Sequence, residues 1–362
     1  MSSTSLRAQT EISELLTPFA LIDGRRLRRN VEEMQERISS IGAALRPHFK
    51  THRTTTLAEL QLAAGAIGLT VATGSQLASV RRDFDCPVLV SSLLQADGSL
   101  APVLRDAAAG GGVIFPVESV RSIELLRAAL GLDLVPDVLI EVDTGCRRTG
   151  VEPTEAADLA RAAARLGCRV LGVFTYPGHG YVLGKSQTAS QQEQSGLAVA
   201  AAELARAGFE LEHVSAGSTP TIGYAGGGVI TEYRPGTYVF GDRQQLTLGA
   251  VQREQLALTV VATVVSVHGD RVVLDAGGKA LGRDAPPWLT GFGELADSPG
   301  SVITRLNDHH AMIDPHAGPP PAVGDRVSIV PNNANSVMAL LRSAWLSDDG
   351  RLAEELSPLP DR

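Results

Sequence analysis

The sequence predicts an α/β protein in which a (β/α)8, TIM-like barrel over residues 19–244 precedes a C-terminal β-domain over residues 245–362. Short apolar runs alternate with helical patterns up to about residue 240, as in a barrel of parallel strands. Beyond it, runs rich in Val, Leu and Thr are broken by Gly and Pro turns, which is typical of a β-domain. We expect residues 1–18 to form a separate segment that packs on the β-domain.

Eight apolar runs have the length and bounding residues of buried strands. Eight strands that alternate with helices fit a closed barrel better than an open, doubly wound sheet. The predicted strands are Ala43–His48, Ile67–Ala72, Pro87–Ser91, Val113–Val117, Asp137–Asp143, Arg169–Thr175, Leu211–Ala216 and Thr231–Arg234.

Helical patterns separate several of these runs. Pro153 and Glu155 suit a first helical turn, and Gly167 suits the position just after a last turn. In the β-domain no long helical period interrupts the strand-like runs. The predicted helices are Leu27–Ile41, Ser119–Leu130, Pro153–Leu166 and Ser186–Ala207, and the first β-domain strands are Gln255–Val267 and Arg271–Asp275.

The composition is that of an ordinary globular protein and excludes several classes. The net charge of −8 argues against nucleic acid or an anionic membrane as the main partner. No run reaches the ~18 apolar residues of a membrane helix, and the first ten residues lack the apolar segment of a secretion signal. Cys86, Cys146 and Cys168 show no CxxC spacing, so neither a disulfide framework nor a zinc knuckle is predicted. We therefore expect a cytoplasmic protein.

Lysine is rare in this chain, because 29 of its 32 basic residues are arginine. Lys50 lies between His48 and His52 in the segment RPHFKTH, which ends the first predicted strand. Catalytic groups of such barrels lie at the C-terminal ends of strands. A desolvated lysine near other cations has a lowered pKa and can form a Schiff base. An exposed loop between strand and helix is the alternative interpretation.

Two further strand ends carry polar groups. The segment DTGCRRTG, residues 143–150, follows the fifth strand, and its glycines and arginines suit an anionic group, although a structural loop explains it almost as well. The segment TYPGHGY follows the sixth strand and brings Tyr176, His179 and Tyr181 to the same end of the barrel.

The seventh and eighth strands are followed by SAGSTPT, residues 215–221, and RPGTY, residues 234–238. Barrels of this kind often bind phosphate in these two loops. Pro220 can open a helix whose N-terminal amides bind an anion. An amine at the first strand and a phosphate site at the last two indicate pyridoxal 5′-phosphate, which needs a Schiff-base lysine, a phosphate site and partners for its ring.

At this point the sequence resembles the fold-type III pyridoxal-phosphate enzymes of the alanine racemase-like family, closest to the branch of D-threonine aldolase and D-serine dehydratase. The resemblance spans nearly the whole chain. RPHFKTH matches the family's RPHxKTH, and DTGCRRTG matches its DTGxxRxG. GSTPT and RPGTYVF match the phosphate-binding segments, while DAGGKALGRD and NDHHA match segments of the second domain, the latter loosely.

The resemblance implies a homodimer with its active sites near the subunit interface. It makes Lys50 the Schiff-base lysine and Arg148 the contact of the ring oxygen. The predicted catalytic residues are Lys50, His52, His179 and His310. The predicted cofactor contacts are Lys50, His48, Arg148, Tyr176, Tyr181, Gly217, Ser218, Thr219, Gly236, Thr237 and Tyr238.

One segment departs from the family. The branch carries a metal pair, His-x-Cys or His-x-Asp, where this chain has Asn333 and Asn335. A neutral amide oxygen is a poor ligand for zinc and a fair one for magnesium or calcium. We therefore predict no metal site, and we expect His179, His309 or His310 to act in place of the metal-activated base.

The resulting functional prediction is a lyase that acts on a D-amino acid, with retro-aldol cleavage of a D-3-hydroxy amino acid as the leading reaction. Alternatives on the same scaffold are a dehydratase of the D-serine or 3-hydroxyaspartate type and a racemase or epimerase, which needs a second proton donor opposite Lys50. A non-enzymatic cofactor carrier would not need the β-domain. A sugar-phosphate barrel enzyme would not need RPHFKTH.

Overall fold

A computed structural model describes residues 12–94, 98, 100–269, 271–314 and 320–360 of the chain. The described residues divide into two compact units. The first, here the barrel unit, comprises residues 33–50 and 55–236. The second, here the β unit, comprises the described parts of residues 12–32, 51–54 and 237–360.

The strands and helices are numbered in chain order. The strands are β1 Phe19–Asp23, β2 Ala44–Leu45, β3 Leu69–Val71, β4 Val88–Val90, β5 Val113–Val117, β6 Asp137–Glu141, β7 Arg169–Phe174, β8 His213–Ala216, β9 Glu232–Tyr233, β10 Leu258–His268, β11 Arg271–Leu274, β12 Gly293–Leu295, β13 Val302–Leu306, β14 Ala311–Asp314, β15 Arg326–Pro331, β16 Ala344–Asp348 and β17 Arg351–Leu356. The helices are α1 Gly24–Ser40, α2 Thr55–Ala63, α3 Gly74–Asp83, α4 Leu100–Ala109, α5 Val120–Leu130, α6 Ala156–Arg165, α7 Ser186–Arg206, α8 Arg243–Thr247, α9 Gly278–Leu281 and α10 Ala334–Leu340.

Eight parallel strands form the sheet of the barrel unit, in the order β2-β9-β8-β7-β6-β5-β4-β3. A parallel bridge between His48 and Thr70 joins its two ends, and the Thr70 amide donates to the Pro47 carbonyl at 2.9 Å. The sheet is therefore closed into a barrel, which confirms the predicted fold class. Each of the eight predicted strands corresponds to one barrel strand, trimmed by up to a few residues at its ends.

The barrel strands are buried on both faces because they are parallel strands with helices between them. All five residues of β5 are buried. Neighbouring strands contribute to one core cluster, in which each fully buried aliphatic side chain is worth about 1.5–3 kcal/mol. Its members are Leu89, Ile114, Leu139, Leu171 and Phe174.

The helices follow the predicted pattern with local differences at their ends. Ser119 caps α5 through a capping box with Ser122, and Gly131 ends that helix with φ 81°. The predicted helix from Pro153 is divided, because Pro153–Glu155 forms a 3-10 turn before α6 begins at Ala156.

The β unit contains a nine-stranded sheet in the order β11-β14-β13-β12-β15-β10-β1-β16-β17. An additional antiparallel pairing of β10 with β11 closes six of these strands into a barrel. The long strand β10 makes this possible because a bulge between Val264 and Ser266 shifts its register and bends it.

The division into units differs from the predicted boundary at residue 19. β1 lies in the β unit because it pairs antiparallel with β10 and parallel with β16. Residues 237–244 also belong to this unit. Within the N-terminal segment, the carbonyls of Ile12 and Leu15 accept hydrogen bonds from Arg326 at 2.8 and 2.7 Å. Residues 1–11 of that segment lie outside the described residues.

Candidate active site

The chain that leads to Lys50 is fixed by its neighbours in the barrel. The amides of Arg46 and His48 donate to the carbonyls of Tyr233 and Pro235 at 2.9 and 3.0 Å. Lys50 follows directly, in the 3-10 turn Phe49–Thr51. This position is the C-terminal end of the first barrel strand, where the sequence predicts it.

The Lys50 amine is half-buried and surrounded by cations. Its Nζ lies 5.6 Å from the centroid of the Tyr176 ring. Burial, and then the positive charges of Arg148 and Arg234, lower the pKa of Lys50 to about 8. Each cause disfavours the ammonium form, so the neutral, nucleophilic form of this amine is far more populated near neutral pH than that of an ordinary exposed lysine.

Arg148 and two tyrosines stand beside this amine. The Arg148 guanidinium carbon lies 4.7 Å from the Tyr176 ring centroid, within cation–π range. The rings of Tyr176 and Tyr181 are 6.5 Å apart at 39°. Burial raises the pKa of the Tyr176 hydroxyl, so this hydroxyl stays protonated. The structure thus brings together four of the predicted residues.

Carboxylates hold the loop that carries Arg148. Asp143 Oδ1 accepts from the Gly145 amide at 2.8 Å. The Gly150 amide donates to Glu118 Oε2 at 2.8 Å, and Thr149 Oγ1 donates to Glu141 Oε1 at 2.5 Å. The loop is therefore anchored on both sides of Arg148.

His48 is locked in one tautomer by its partners. Its Nδ1 accepts from the Lys50 amide at 3.4 Å, so the neutral ring carries its proton on Nε2. Nε2 then donates to Ser91 Oγ at 3.0 Å, and Ser91 Oγ in turn donates to the Val71 carbonyl at 3.1 Å. His48 thereby ties the lysine segment to the strand two positions away in the barrel.

The GSTPT loop, residues 217–221, follows β8 and contains one backbone position that requires glycine. Gly217 has φ +91°, and a Cβ there would lie 2.6 Å from Tyr233 Cδ1, so only glycine fits. The Ser218 amide donates to Thr221 Oγ1 at 3.0 Å. Ser218 and Thr219 are both buried.

The sequence predicts that Pro220 can open a helix, and only a 3-10 helix follows it. The chain turns through Thr221 into the 3-10 helix Ile222–Tyr224 and does not start an α-helix. The reason is the run AGGG at residues 225–228, since consecutive glycines are poor helix formers.

Gly236 is the last residue of the barrel unit before residue 237 opens the β unit. Thr237 and Tyr238 are buried and begin the 3-10 helix Thr237–Val239. Within the β unit, Asn335 Nδ2 donates to Thr237 Oγ1 at 3.4 Å.

The four predicted or alternative histidines occupy different surroundings. His52 is buried in the β unit, and its Nδ1 accepts from the Thr54 amide at 3.2 Å. His179 Nε2 lies 2.9 Å from Gln192 Oε1, while its Nδ1 is buried without a partner. His309 and His310 are exposed in the turn between β13 and β14.

Two protein-family models match this chain. The model described as "Alanine racemase, N-terminal domain" matches residues 22–244, and the one described as "Putative serine dehydratase domain" matches residues 257–346. The chain belongs to the alanine racemase-like family of fold-type III pyridoxal-phosphate enzymes. This membership confirms the resemblance seen in the sequence.

Relatives within this fold-type III family align over most of the chain. D-threo-3-hydroxyaspartate dehydratase of Delftia sp. is 33% identical over 353 residues, covering 90% of this chain and 92% of its own. D-threonine aldolase of Arthrobacter sp. is 29% identical over 356 residues, covering 92% and 89%. The solved structure of the Delftia dehydratase superposes with a TM-score of 0.90 at 30% identity, covering 97% of this chain and 100% of the other.

The residues of the barrel unit fit the cofactor of this family. Lys50 supplies a desolvated amine. The GSTPT loop bends at Gly217, where a Cβ atom would collide with the Tyr233 ring. Arg148 and Tyr176 supply a cation and a hydroxyl on the side of the lysine. An amine, a polar loop and a ring partner are what pyridoxal phosphate requires.

The asparagines at the two positions where the resemblance places metal ligands make other contacts in the structure. Asn333 Oδ1 accepts from the amides of Asn335 and Ser336 at 3.0 and 3.4 Å, capping α10. Its Nδ2 donates to Asp284 Oδ1 at 3.1 Å. The Asn333 oxygen is thus committed to the helix cap.

The sequence analysis did not select two buried charged residues near the candidate site. Arg234 is fully enclosed, and its guanidinium donates to Ser215 Oγ and to the Thr175 carbonyl. Its position after the eighth strand was a signal that pointed to a site residue. Glu193 is buried on α7, and nothing in its polar sequence surroundings predicts this.

The part of the chain that the structure describes contains no helix long and apolar enough to cross a membrane. The three cysteines are free. The expected homodimer and the cytoplasmic location stay predictions.

Proposed function

We propose that this chain is a pyridoxal-phosphate-dependent lyase that acts on a D-3-hydroxy amino acid, with dehydration to a keto acid and ammonia as its leading reaction. The observation that carries the proposal is the half-buried Lys50 amine among Arg148, Tyr176 and Arg234, with a pKa of about 8. The extended similarity to a D-threo-3-hydroxyaspartate dehydratase supports dehydration over the retro-aldol reaction that the sequence favours.

Six residues of the barrel unit would hold the cofactor in this proposal. Lys50 Nζ would link covalently to its aldehyde carbon, Arg148 would contact the ring oxygen, and Tyr176 would lie against the ring. The buried loop Gly217, Ser218 and Thr219 would receive the phosphate. Bound pyridoxal phosphate supplies the electron withdrawal that acidifies the Cα–H bond of an amino acid substrate.

Lys50 is the base of the proposed reaction. Its Nζ would take the proton from Cα, and the lowered pKa makes the basic form of this amine more populated near neutral pH than that of an ordinary lysine. Arg148 limits re-protonation of the amine because a nearby cation disfavours the ammonium form. In dehydration, the hydroxyl on Cβ would leave as water with the proton that Lys50 took from Cα, and addition of water to the remaining enamine, after its tautomerisation, would release the keto acid and ammonia.

The second candidate is retro-aldol cleavage, which one observation favours. Gln192 Oε1 accepts a hydrogen bond, so His179 carries its proton on Nε2 in the neutral ring. The buried, unpartnered Nδ1 then presents a lone pair that can accept the proton of a β-hydroxyl. This proton transfer starts the cleavage of the Cα–Cβ bond.

The products distinguish these reactions. The purified chain, reconstituted with pyridoxal phosphate, is incubated with D-threonine, D-serine, D-3-hydroxyaspartate and D-alanine. A keto acid and ammonia support dehydration, whereas glycine and an aldehyde support cleavage. Loss of optical purity alone, or a chain that forms no visible absorption band with the cofactor, contradicts the lyase proposal.

Replacing His179 with glutamine tests its role in proton transfer at the β-hydroxyl. If the chain cleaves its substrate by the retro-aldol reaction, we expect the kcat of that cleavage to fall on the order of 10²-fold, the lower end of what a general acid or base contributes, while the cofactor band is retained. His268→Gln, at an exposed histidine of the β unit, is the matched control. Equal activity of the two variants would remove His179 from the mechanism.

Chelation tests the proposed independence from metal. Because the Asn333 oxygen is committed to the cap of α10, we expect the purified lyase to contain far less than one divalent metal per chain. Dialysis against a chelator should leave its activity and thermal unfolding unchanged. Stoichiometric metal that is lost together with activity would contradict this prediction.

A further inference from the structure

Glu193 occupies a core position of α7. The buried residues of this helix recur at three- and four-residue spacing, and Glu193 stands in the series between Ser190 and Leu197. Its side chain is 0% exposed. Burial of a carboxyl group costs free energy unless specific interactions compensate, so an acidic residue is unexpected in this series.

The carboxyl group of Glu193 holds the GSTPT loop from the side of the helix. Its Oε2 accepts a hydrogen bond from the Gly217 amide at 2.9 Å. Its Oε1 is equally buried, and the hydroxyl groups of Thr221 and Ser190 also favour the ionised form of this carboxyl group. Gly217 is the residue whose positive φ bends the loop. The side chain of Glu193 therefore fixes the direction of the loop at the point where the loop begins.

The surroundings of Glu193 change the pKa of its carboxyl group. Burial, opposed mainly by the Gly217 amide, raises the pKa of Glu193 to about 7. Arg234 faces the carboxyl group and favours its ionised form, and Tyr233 is the other titratable group that interacts with it. A phosphate group bound to the loop would repel the carboxylate and so favour the protonated acid.

We propose that Glu193 is a positioning residue of the cofactor's phosphate loop, which orients the loop through the Gly217 amide and takes up a proton when a phosphate binds. The inference rests on the proposed function because it assigns the phosphate to the GSTPT loop. The carboxylic acid and the carboxylate both accept from the Gly217 amide, so the loop keeps its shape while its charge changes.

The affinity for a phosphate ester then depends on pH. A group that gains a proton on binding makes binding weaken as the pH rises, by at most about tenfold per pH unit for one proton. Between about pH 7 and pH 9, affinity of the wild type should fall relative to that of Glu193→Gln, in which no proton can be taken up. The amide oxygen of glutamine still accepts from the Gly217 amide.

Pyridoxine 5′-phosphate is the probe for this experiment, because it carries the phosphate without an aldehyde that reacts with Lys50. Its dissociation constant is measured on the full chain freed of cofactor, for the wild type, Glu193→Gln, Glu193→Leu and the control Glu203→Gln on the same helix. Glu193→Leu should bind weakly at every pH, since it loses the contact with Gly217. Glu203→Gln should follow the wild type.

If the dissociation constants of the wild type and Glu193→Gln change with pH in the same way, the proposed proton uptake is wrong. If Glu193→Leu binds the probe as tightly as the wild type, the proposed positioning role is wrong. If the leucine variant does not fold, the number of protons that the wild type takes up on binding still tests the proposal. Calorimetry in buffers of different ionisation enthalpy measures this number. No net uptake above pH 7 contradicts the proposal. A wild type that binds neither the probe nor pyridoxal phosphate refutes the proposed function itself.

Discussion

Replacing Lys50 with alanine is expected to abolish the visible absorption band of the bound cofactor and to lower kcat on the order of 10⁴-fold, at the top of the range for loss of a general base. The effect is large because one amine has two tasks, the link to the cofactor and the proton transfer at Cα. The spectrum and the initial rate of keto acid formation measure both.

Two further variants, Lys50→Arg and Lys185→Ala, test whether the effect comes from the reactive amine of Lys50 or only from the loss of a positive charge. Arginine keeps the positive charge at position 50, but its guanidinium stays protonated and forms no Schiff base, so it should be as inactive as alanine. Lys185 is exposed just before α7, and its replacement should leave the activity unchanged. An active Lys50→Arg variant would disprove the proposed role.

The pKa of Lys50 also predicts how the reaction of the free chain with pyridoxal phosphate depends on pH. The neutral amine is the reactive form, and its fraction rises as the pH increases through about 8. The rate of band formation should therefore rise with pH and level off above that value, about two pH units below the value expected for an ordinary exposed lysine.

Replacing Glu232 with glutamine should destabilise the barrel unit by about 3–5 kcal/mol, the cost of leaving one buried partner of an ion pair uncompensated. Glu232 on β9 accepts from Arg46 at 2.8 Å and from Ser215 at 2.6 Å. Both members of the ion pair are almost fully buried. Chemical denaturation measures the loss as a lower midpoint.

Asp158→Asn is the matched control, because the ion pair of Asp158 with Arg161 is exposed on α6. Exposed pairs contribute about 0–1 kcal/mol, so this variant should unfold like the wild type. Equal unfolding midpoints for Glu232→Gln and the wild type would contradict the assigned importance of the buried pair.

Acid should remove the advantage that Glu232 gives the wild type. Burial alone would raise the pKa of this carboxyl group, but the hydrogen bond of His213 and the charge and hydrogen bonds of Arg46 hold it well below its usual range. A depressed pKa contributes stability that is present above the unfolded value of about 4.3 and is lost as the pH falls. The difference between wild type and variant should therefore shrink as the pH is lowered below about 4.

The barrel could be predicted from the sequence because its signals are local. The apolar run of β5 was placed at Val113–Val117, where the structure has it. The assignment of β1 could not be made in the same way. Its five residues look like any other apolar run, and only their pairing with β10 and β16, more than 200 residues away, places them in the β unit.

The candidate site likewise contains residues that the sequence predicts and contacts that only the structure shows. Lys50, Arg148 and Tyr176 each follow a predicted strand, and parallel strands bring their C-terminal ends together. Arg234 follows a strand too, but that its guanidinium is fully buried depends on the loops around it. Asn333 could be recognised as a departure from the family, whereas its commitment to the cap of α10 requires the coordinates.

By itself, the sequence determined that this chain is a barrel with a β-domain and that its lysine at the end of the first strand suits a Schiff base, because periodicity and strand-end position are encoded along the chain. Only the tertiary structure decided that Glu193 is buried and that it holds Gly217. Because its sequence neighbours on α7 are polar, Glu193 would be predicted to be exposed to solvent. Its burial depends on the loop at Gly217, which lies more than twenty residues further along the chain.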